Sequence, residues 1–225
     1  MKKIKDIILS DKTPMDKNSL WLKDNNLKYF EGVWKNINTS ATNTSNIILD
    51  IDKAEDIEYL SCVDILNRGG VHVTTCAVNT AEERLVNLAN GNVVLTNTTI
   101  EDLDGDFDII VVPGGPKTDS LNGSDKFIDL LKQQKANNKK IAAICAAPYV
   151  VLYKNGILQK HDNMTCYPGC DNEGIFKSCE IAITDNQQII TANGPFNAIK
   201  FALTILREFV SEDAYKEVAK AVLAI

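Results

Sequence analysis

The chain has 225 residues, of which 44% are hydrophobic and 24% charged, and carries a formal net charge of -6 with a pI near 5.0. That length suits one α/β domain with an appendage, large enough to bury a core without disulfide or metal support. The acidic balance disfavours general nucleic-acid binding, because a negative surface repels phosphate backbones. No apolar run approaches the ~18 residues needed to cross a bilayer, and no secretory apolar block follows the opening Met1-Lys2-Lys3, so the chain reads as cytoplasmic and membrane-free.

Residues 1–45 differ in texture from the rest. They are polar yet hold both tryptophans, Trp21 and Trp34, and end in an Asn/Thr/Ser-rich stretch that reads as a linker. They form an N-terminal extension that either packs its aromatics on the main domain or is a largely disordered tail. Residues 46–225 make up the main domain. Ile47-Ile48-Leu49 predicts a short buried strand. Ala54–Arg68 predicts a helix with Ile57, Leu60, Val63, Ile65 and Leu66 on its apolar face, stopped by Gly69-Gly70. Val71–Val78 is β-rich, and Asn92–Thr96 suits a hairpin or edge strand.

Asp108–Val112 is an apolar strand running into Pro113-Gly114-Gly115, followed by a helix over Ser124–Lys135 with Ser124 as its N-cap. Lys140–Ile144 is a second buried strand, and a helix begins near Pro148. Two short strands near Glu180–Thr184 and Gln188–Thr191 precede closing helices over Phe196–Phe209 and Asp213–Leu223. Apolar strands alternating with helices predict a mostly parallel sheet covered on both faces. Ligands of such sheets bind beyond the carboxyl ends of the strands, where Gly114, Gly115 and Cys145 all fall.

The strongest chemical signal is Ile141-Ala142-Ala143-Ile144-Cys145-Ala146-Ala147-Pro148. A polarisable side chain sits between a strand and a helix, and small neighbours allow a sharp turn, as in a nucleophile elbow. The N-terminus of the following helix favours thiolate over thiol, so Cys145 is expected to ionise more readily than a free cysteine. A buried core cysteine is the competing reading of the same pattern. The N–H groups of Gly114, Gly115 and Ala146 are candidates for an oxyanion hole. From spacing alone, Glu55 and Glu58 read as a solvated acidic helix start. Cys166, Cys170 and Cys179 lack a second tight pair and the only histidines are His72 and His161, so neither metal nor cofactor is expected.

Taken together, Ala54–Glu58, Cys62–Arg68, Val112–Gly115, Ala142–Pro148, Asn163–Pro168 and Gly194-Pro195 resemble the ThiJ/PfpI superfamily in its DJ-one-type branch, over about four-fifths of the chain. The resemblance implies a flavodoxin-like three-layer sandwich that forms homodimers. It implies that Cys145 is the nucleophile and oxidation-sensitive thiol, and that Glu58, protonated, hydrogen-bonds its sulfur. Gly115 and Ala146 match the backbone donors beside it, while Arg68, Tyr167 and Pro195 match positions near the pocket or dimer edge. The implied activity is glutathione-independent glyoxalase or deglycase chemistry on methylglyoxal-like aldehydes or glycated groups. The alternative is a non-catalytic redox sensor or chaperone that works through oxidation of Cys145. Two departures stand out. Tyr167 occupies a position where some relatives carry histidine, which removes the usual Cys–His–acid triad, and Ala146 replaces the histidine of the protease-like branch.

Overall fold

The computed structural model describes residues 44–80 and 84–225, so the expectations for residues 1–43 lie outside the described residues. Seven strands form one sheet: β1 (Ser45–Asp50), β2 (His72–Ala77), β5 (Thr98–Thr99), β6 (Ile109–Val112), β7 (Lys140–Ile144), β8 (Ile181–Ile183) and β9 (Ile189–Ala192). Their order is β5-β2-β1-β6-β7-β9-β8, parallel throughout except for the edge strand β8, which pairs antiparallel with β9. Two further strands, β3 (Leu85–Asn87) and β4 (Val93–Leu95), form a separate antiparallel hairpin over the expected Asn92–Thr96 region.

Helix α1 (Asp56–Arg68) packs against α3 (Ala198–Ile205), and α4 (Glu212–Ala221) packs against α3 in turn. Helix α2 (Asp125–Ala136) packs with the 3-10 turn Thr118–Gly123 and with β7. The result is a flavodoxin-like three-layer sandwich. All four residues of β6 and Ile141–Ile144 of β7 are buried, as a strand covered on both faces requires. Strand order reverses between β1 and β6, which creates the crevice in which such sheets hold ligands. Among the described residues, no helix is long and apolar enough to cross a membrane.

Local signals account for most boundaries. Ser124 Oγ accepts from the Phe127 N–H at 3.3 Å, capping α2 as expected. The expected helix over Phe196–Phe209 is instead three pieces, a 3-10 turn at Pro195–Asn197, α3, and a wider π turn at Leu206–Val210. The helix after Cys145 is likewise π-wound over Pro148–Tyr153, with the Lys154 N–H reaching the Tyr149 carbonyl at 3.2 Å.

One expectation holds only in part: Ile65 and Leu66 are buried as expected and Val63 packs on the core, but the start of the helix differs. Ile57 and Leu60, assigned to the apolar face of α1, are exposed, whereas Glu58 is buried beside Tyr59, Cys62, Ile65 and Leu66. The helix is rotated relative to the hydrophobic reading because its first turn presents Glu58 to the sheet, where the Gly114 N–H meets the carboxylate.

Candidate active site

Strand β7 ends at Ile144, and Cys145 turns the chain with φ +63, a left-handed backbone that a non-glycine residue adopts only under constraint. Hydrogen bonds fix it on both sides. Its N–H donates to the Ala192 carbonyl at 2.9 Å, and its carbonyl accepts from the Tyr167 N–H at 2.7 Å. Val150 N–H reaches the Ala146 carbonyl, so the chain coils immediately after the elbow, and the Ala146 N–H hydrogen-bonds the Cys145 sulfur. Cys145 as a whole is 8% exposed and counts as buried.

Glu58 reaches this point from α1 and is 0% exposed. Its placement begins one turn earlier, where the Glu55 carboxylate caps α1 by accepting from the Glu58 N–H at 2.9 Å. Oε2 of Glu58 accepts from the Gly114 N–H at 2.8 Å. Oε1 is buried without a hydrogen-bond partner of normal geometry, and the Cys145 thiol is the non-acidic side chain that acts on this carboxyl. Burial raises the Glu58 carboxyl to about 7, against the lowering effects of the Gly114 N–H and the Cys145 side chain, with Glu55 adding to the rise. A proton on Oε1 would turn the orphaned acceptor into a donor.

The glycine pair fits tightly between these groups. A Cβ on Gly114 would stand 2.6 Å from the Cys145 Cβ, 2.9 Å from the Ile144 carbonyl oxygen and 3.0 Å from Glu58 Oε2. Gly115, at φ +132, would place a Cβ 2.3 Å from the Lys53 carbonyl oxygen.

Two expectations need correction. The Gly114 N–H is engaged by Glu58, so it is not an open oxyanion donor. Nor is the Cys145 thiol lowered by its helix end: burial raises it, the Glu58 charge and hydrogen bond raise it further, and the Ala146 N–H offsets only part of this. The two groups act on each other: the Glu58 charge raises Cys145, and the Cys145 side chain lowers Glu58.

The remaining predicted residues divide. Tyr167, 48% exposed, is joined to Cys145 through its backbone, and its ring lies against Gly194, where a Cβ would be 3.3 Å from Cδ2. Pro195 follows that glycine and opens the 3-10 turn. Arg68 sits at the far end of α1, about 15 Å along the axis from Glu58, ion-paired to Asp64 at 2.8 Å, and is not brought to the elbow. The sequence reading missed the capping role of Glu55, although carboxylates three residues apart at a helix start carry that signal. It also gave no role to Cys170, whose N–H donates to the carbonyl of Tyr167, the residue bonded to Cys145.

A model of the DJ-1/PfpI family matches residues 45–208. Protein dj-1beta of Drosophila melanogaster is 31% identical over 184 residues, covering 80% of this chain and 96% of that protein. The glutathione-independent glyoxalase DJR-1.2 of Caenorhabditis elegans is 32% identical over 171 residues, covering 74% of this chain and 89% of its own. Among solved structures, oxidized Toxoplasma gondii DJ-1 superposes with a TM-score of 0.74 at 28% identity, covering 80% of this chain and 98% of that one.

Proposed function

The chain belongs to the DJ-1/PfpI family, and from that premise we propose that it is a cysteine-dependent, glutathione-independent glyoxalase or deglycase-type enzyme acting on methylglyoxal-like aldehydes or their adducts. The observation that carries this reading is the burial of Glu58, held by the Gly114 N–H, against the strand end where Cys145 turns with φ +63. A relative named as a glutathione-independent glyoxalase supports the substrate class.

Transfer of the thiol proton to Glu58 generates the thiolate, which attacks the aldehyde carbon to give a hemithioacetal. In this scheme the backbone N–H groups of Gly115 and Ala146 stabilise the oxyanion. Glu58, ionised again once it has protonated that oxygen, removes the hydrogen from the former aldehyde carbon and delivers it to the neighbouring carbon, while the hydroxyl proton passes from the first oxygen to the second. This leaves a lactoyl thioester, which water hydrolyses to lactate, so methylglyoxal and water balance the product. With Tyr167 in place of a histidine, Glu58 is the sole acid/base in this scheme.

Lactate production from methylglyoxal is the test. Cys145→Ser and Glu58→Gln should each lower kcat/KM by at least about 100-fold. Full activity in either variant refutes the mechanism.

A second reading rests on the structural neighbour solved in an oxidized form. Here Cys145 is the sensing thiol of a redox sensor or chaperone, oxidised to a sulfinic acid that Glu58 holds by hydrogen bonding. Absence of turnover, with peroxide oxidation confined to Cys145 by intact mass, selects this reading.

Homodimerisation is part of the same proposal. Exposed apolar side chains offer surface for it: Ile57 and Leu60 on α1, Ile199 on α3, and Phe196 (96% exposed) in the turn before α3. Phe196→Glu should shift sedimentation from dimer to monomer.

A further inference from the structure

The loop after the elbow carries thiols that the proposed chemistry does not use. Two hydrogen bonds tie it to Cys145: the Tyr167 N–H donates to the Cys145 carbonyl at 2.7 Å, and the Cys170 N–H donates to the Tyr167 carbonyl at 3.1 Å. Cys170 therefore lies one tight turn from a residue bonded to the elbow, and it is partly exposed.

The other thiols are less suited to react. Cys62 and Cys76 are 0% exposed in the core. The Cys166 S–H donates to the Tyr167 carbonyl at 3.5 Å, and burial pushes its thiol up to about 12. The Cys179 S–H donates to the Ile181 carbonyl at 3.5 Å. A disulfide needs Cα atoms within about 4.4–6.8 Å of each other, a span on the scale of the turn that links Cys170 to Tyr167 beside the elbow. Gly169, next to Cys170, has φ +88 and no atom within 4 Å of where a Cβ would stand, so the turn carrying Cys170 is not packed in at this point.

We propose that Cys170 is a resolving thiol: once a hydroperoxide has oxidised Cys145 to a sulfenic acid, Cys170 attacks that sulfur and closes an intramolecular Cys145–Cys170 disulfide. This rests on Cys145 being the reactive thiol. In the first step the thiolate of Cys145 attacks the peroxide, the O–O bond breaks, an S–O bond forms and hydroxide leaves to become water. In the second, the thiolate of Cys170 forms the S–S bond and the S–O bond breaks, releasing a second hydroxide that becomes water. One peroxide and two thiols thus give one disulfide and two waters. The disulfide diverts Cys145 from irreversible sulfinic acid and makes its oxidation reversible by thiol exchange.

The test treats the full chain with substoichiometric hydrogen peroxide, blocks remaining thiols by alkylation and maps peptides without reduction. The expected result is a Cys145–Cys170 linked peptide on a single chain, undone by dithiothreitol. Cys170→Ser should abolish the link and raise dimedone-trapped sulfenic acid and sulfinic acid at Cys145 several-fold, whereas Cys166→Ser should leave the link intact. A link from Cys145 to Cys166, a link between chains, or equal sulfinic yield in wild type and Cys170→Ser overturns the inference while leaving Cys145 as the reactive thiol. No peroxide modification of Cys145 in any variant overturns both.

Discussion

Around Cys145, the wall built from the ends of β6 and β7 and the start of α1 contrasts with the wall built from residues 164–179. The first is buried, hydrogen-bonded and close-packed, with two glycines at positions where a methyl group would meet other atoms within 3.0 Å. The second contains no strand or helix and is held by turns and side-chain-to-backbone bonds. Asp171, for example, accepts from the N–H groups of Glu173, Gly174 and Phe176. This loop lines a 290 Å³ cavity with Cys166, Tyr167 and Asn193. A wall packed this closely fixes the geometry of Cys145 and Glu58, while the looser wall is the one whose side chains can change without unfolding the sheet.

Breaking the rigid wall should have the largest effect. Gly115→Ala combines a 2.3 Å clash with backbone and a left-handed φ, and should cost about 4 kcal/mol in urea unfolding or yield no folded protein. Next comes the buried acid. Because burial raises Glu58 from 4.5 to about 7, the folded chain holds a proton there that the unfolded chain releases. The stability this contributes is present below pH 4.5 and is lost as pH rises to about 7, by about 3 kcal/mol. Urea titrations at pH 5 and pH 8 should therefore show Glu58→Gln gaining on the wild type at the higher pH; parallel curves would place the proton elsewhere.

Loosening the second wall should cost less. The Thr165 hydroxyl lies 2.8 Å from the carbonyls of both Lys177 and Cys179, so Thr165→Val should lose about 1–2 kcal/mol while leaving the Glu58 titration unmoved. Smallest of all is Tyr167→Ala, at under about 0.5 kcal/mol, with its effect on KM for aldehyde rather than on folding. A larger stability loss there would mean that the ring is part of the scaffold.

Much of the rigid wall was legible because strand periodicity and small-residue spacing encode it. Ile109–Val112 and Ile144-Cys145-Ala146 sit where the pattern put them. Glu58 was not legible from helical spacing, since a carboxylate beside Ile57 and Leu60 reads as solvent-facing; the resemblance pointed to it, and a hydrogen bond from 56 residues away explains its burial. The two-residue strand β5, Thr98–Thr99, left no apolar pattern because it only extends the edge next to β2. The thiol chemistry was misjudged for a related reason. Helix-end polarity is local and visible in sequence, whereas the burial and acidic neighbour that raise Cys145 are set by tertiary packing.

The left-handed turn at Cys145 has a consequence for mutational screening. A library randomised at this codon and ranked by melting temperature should place glycine at or near the top and valine and isoleucine at the bottom, because glycine alone meets φ +63 without steric conflict. The same library ranked by aldehyde turnover should invert for glycine, so at this codon resistance to heat and catalytic competence are opposing readouts.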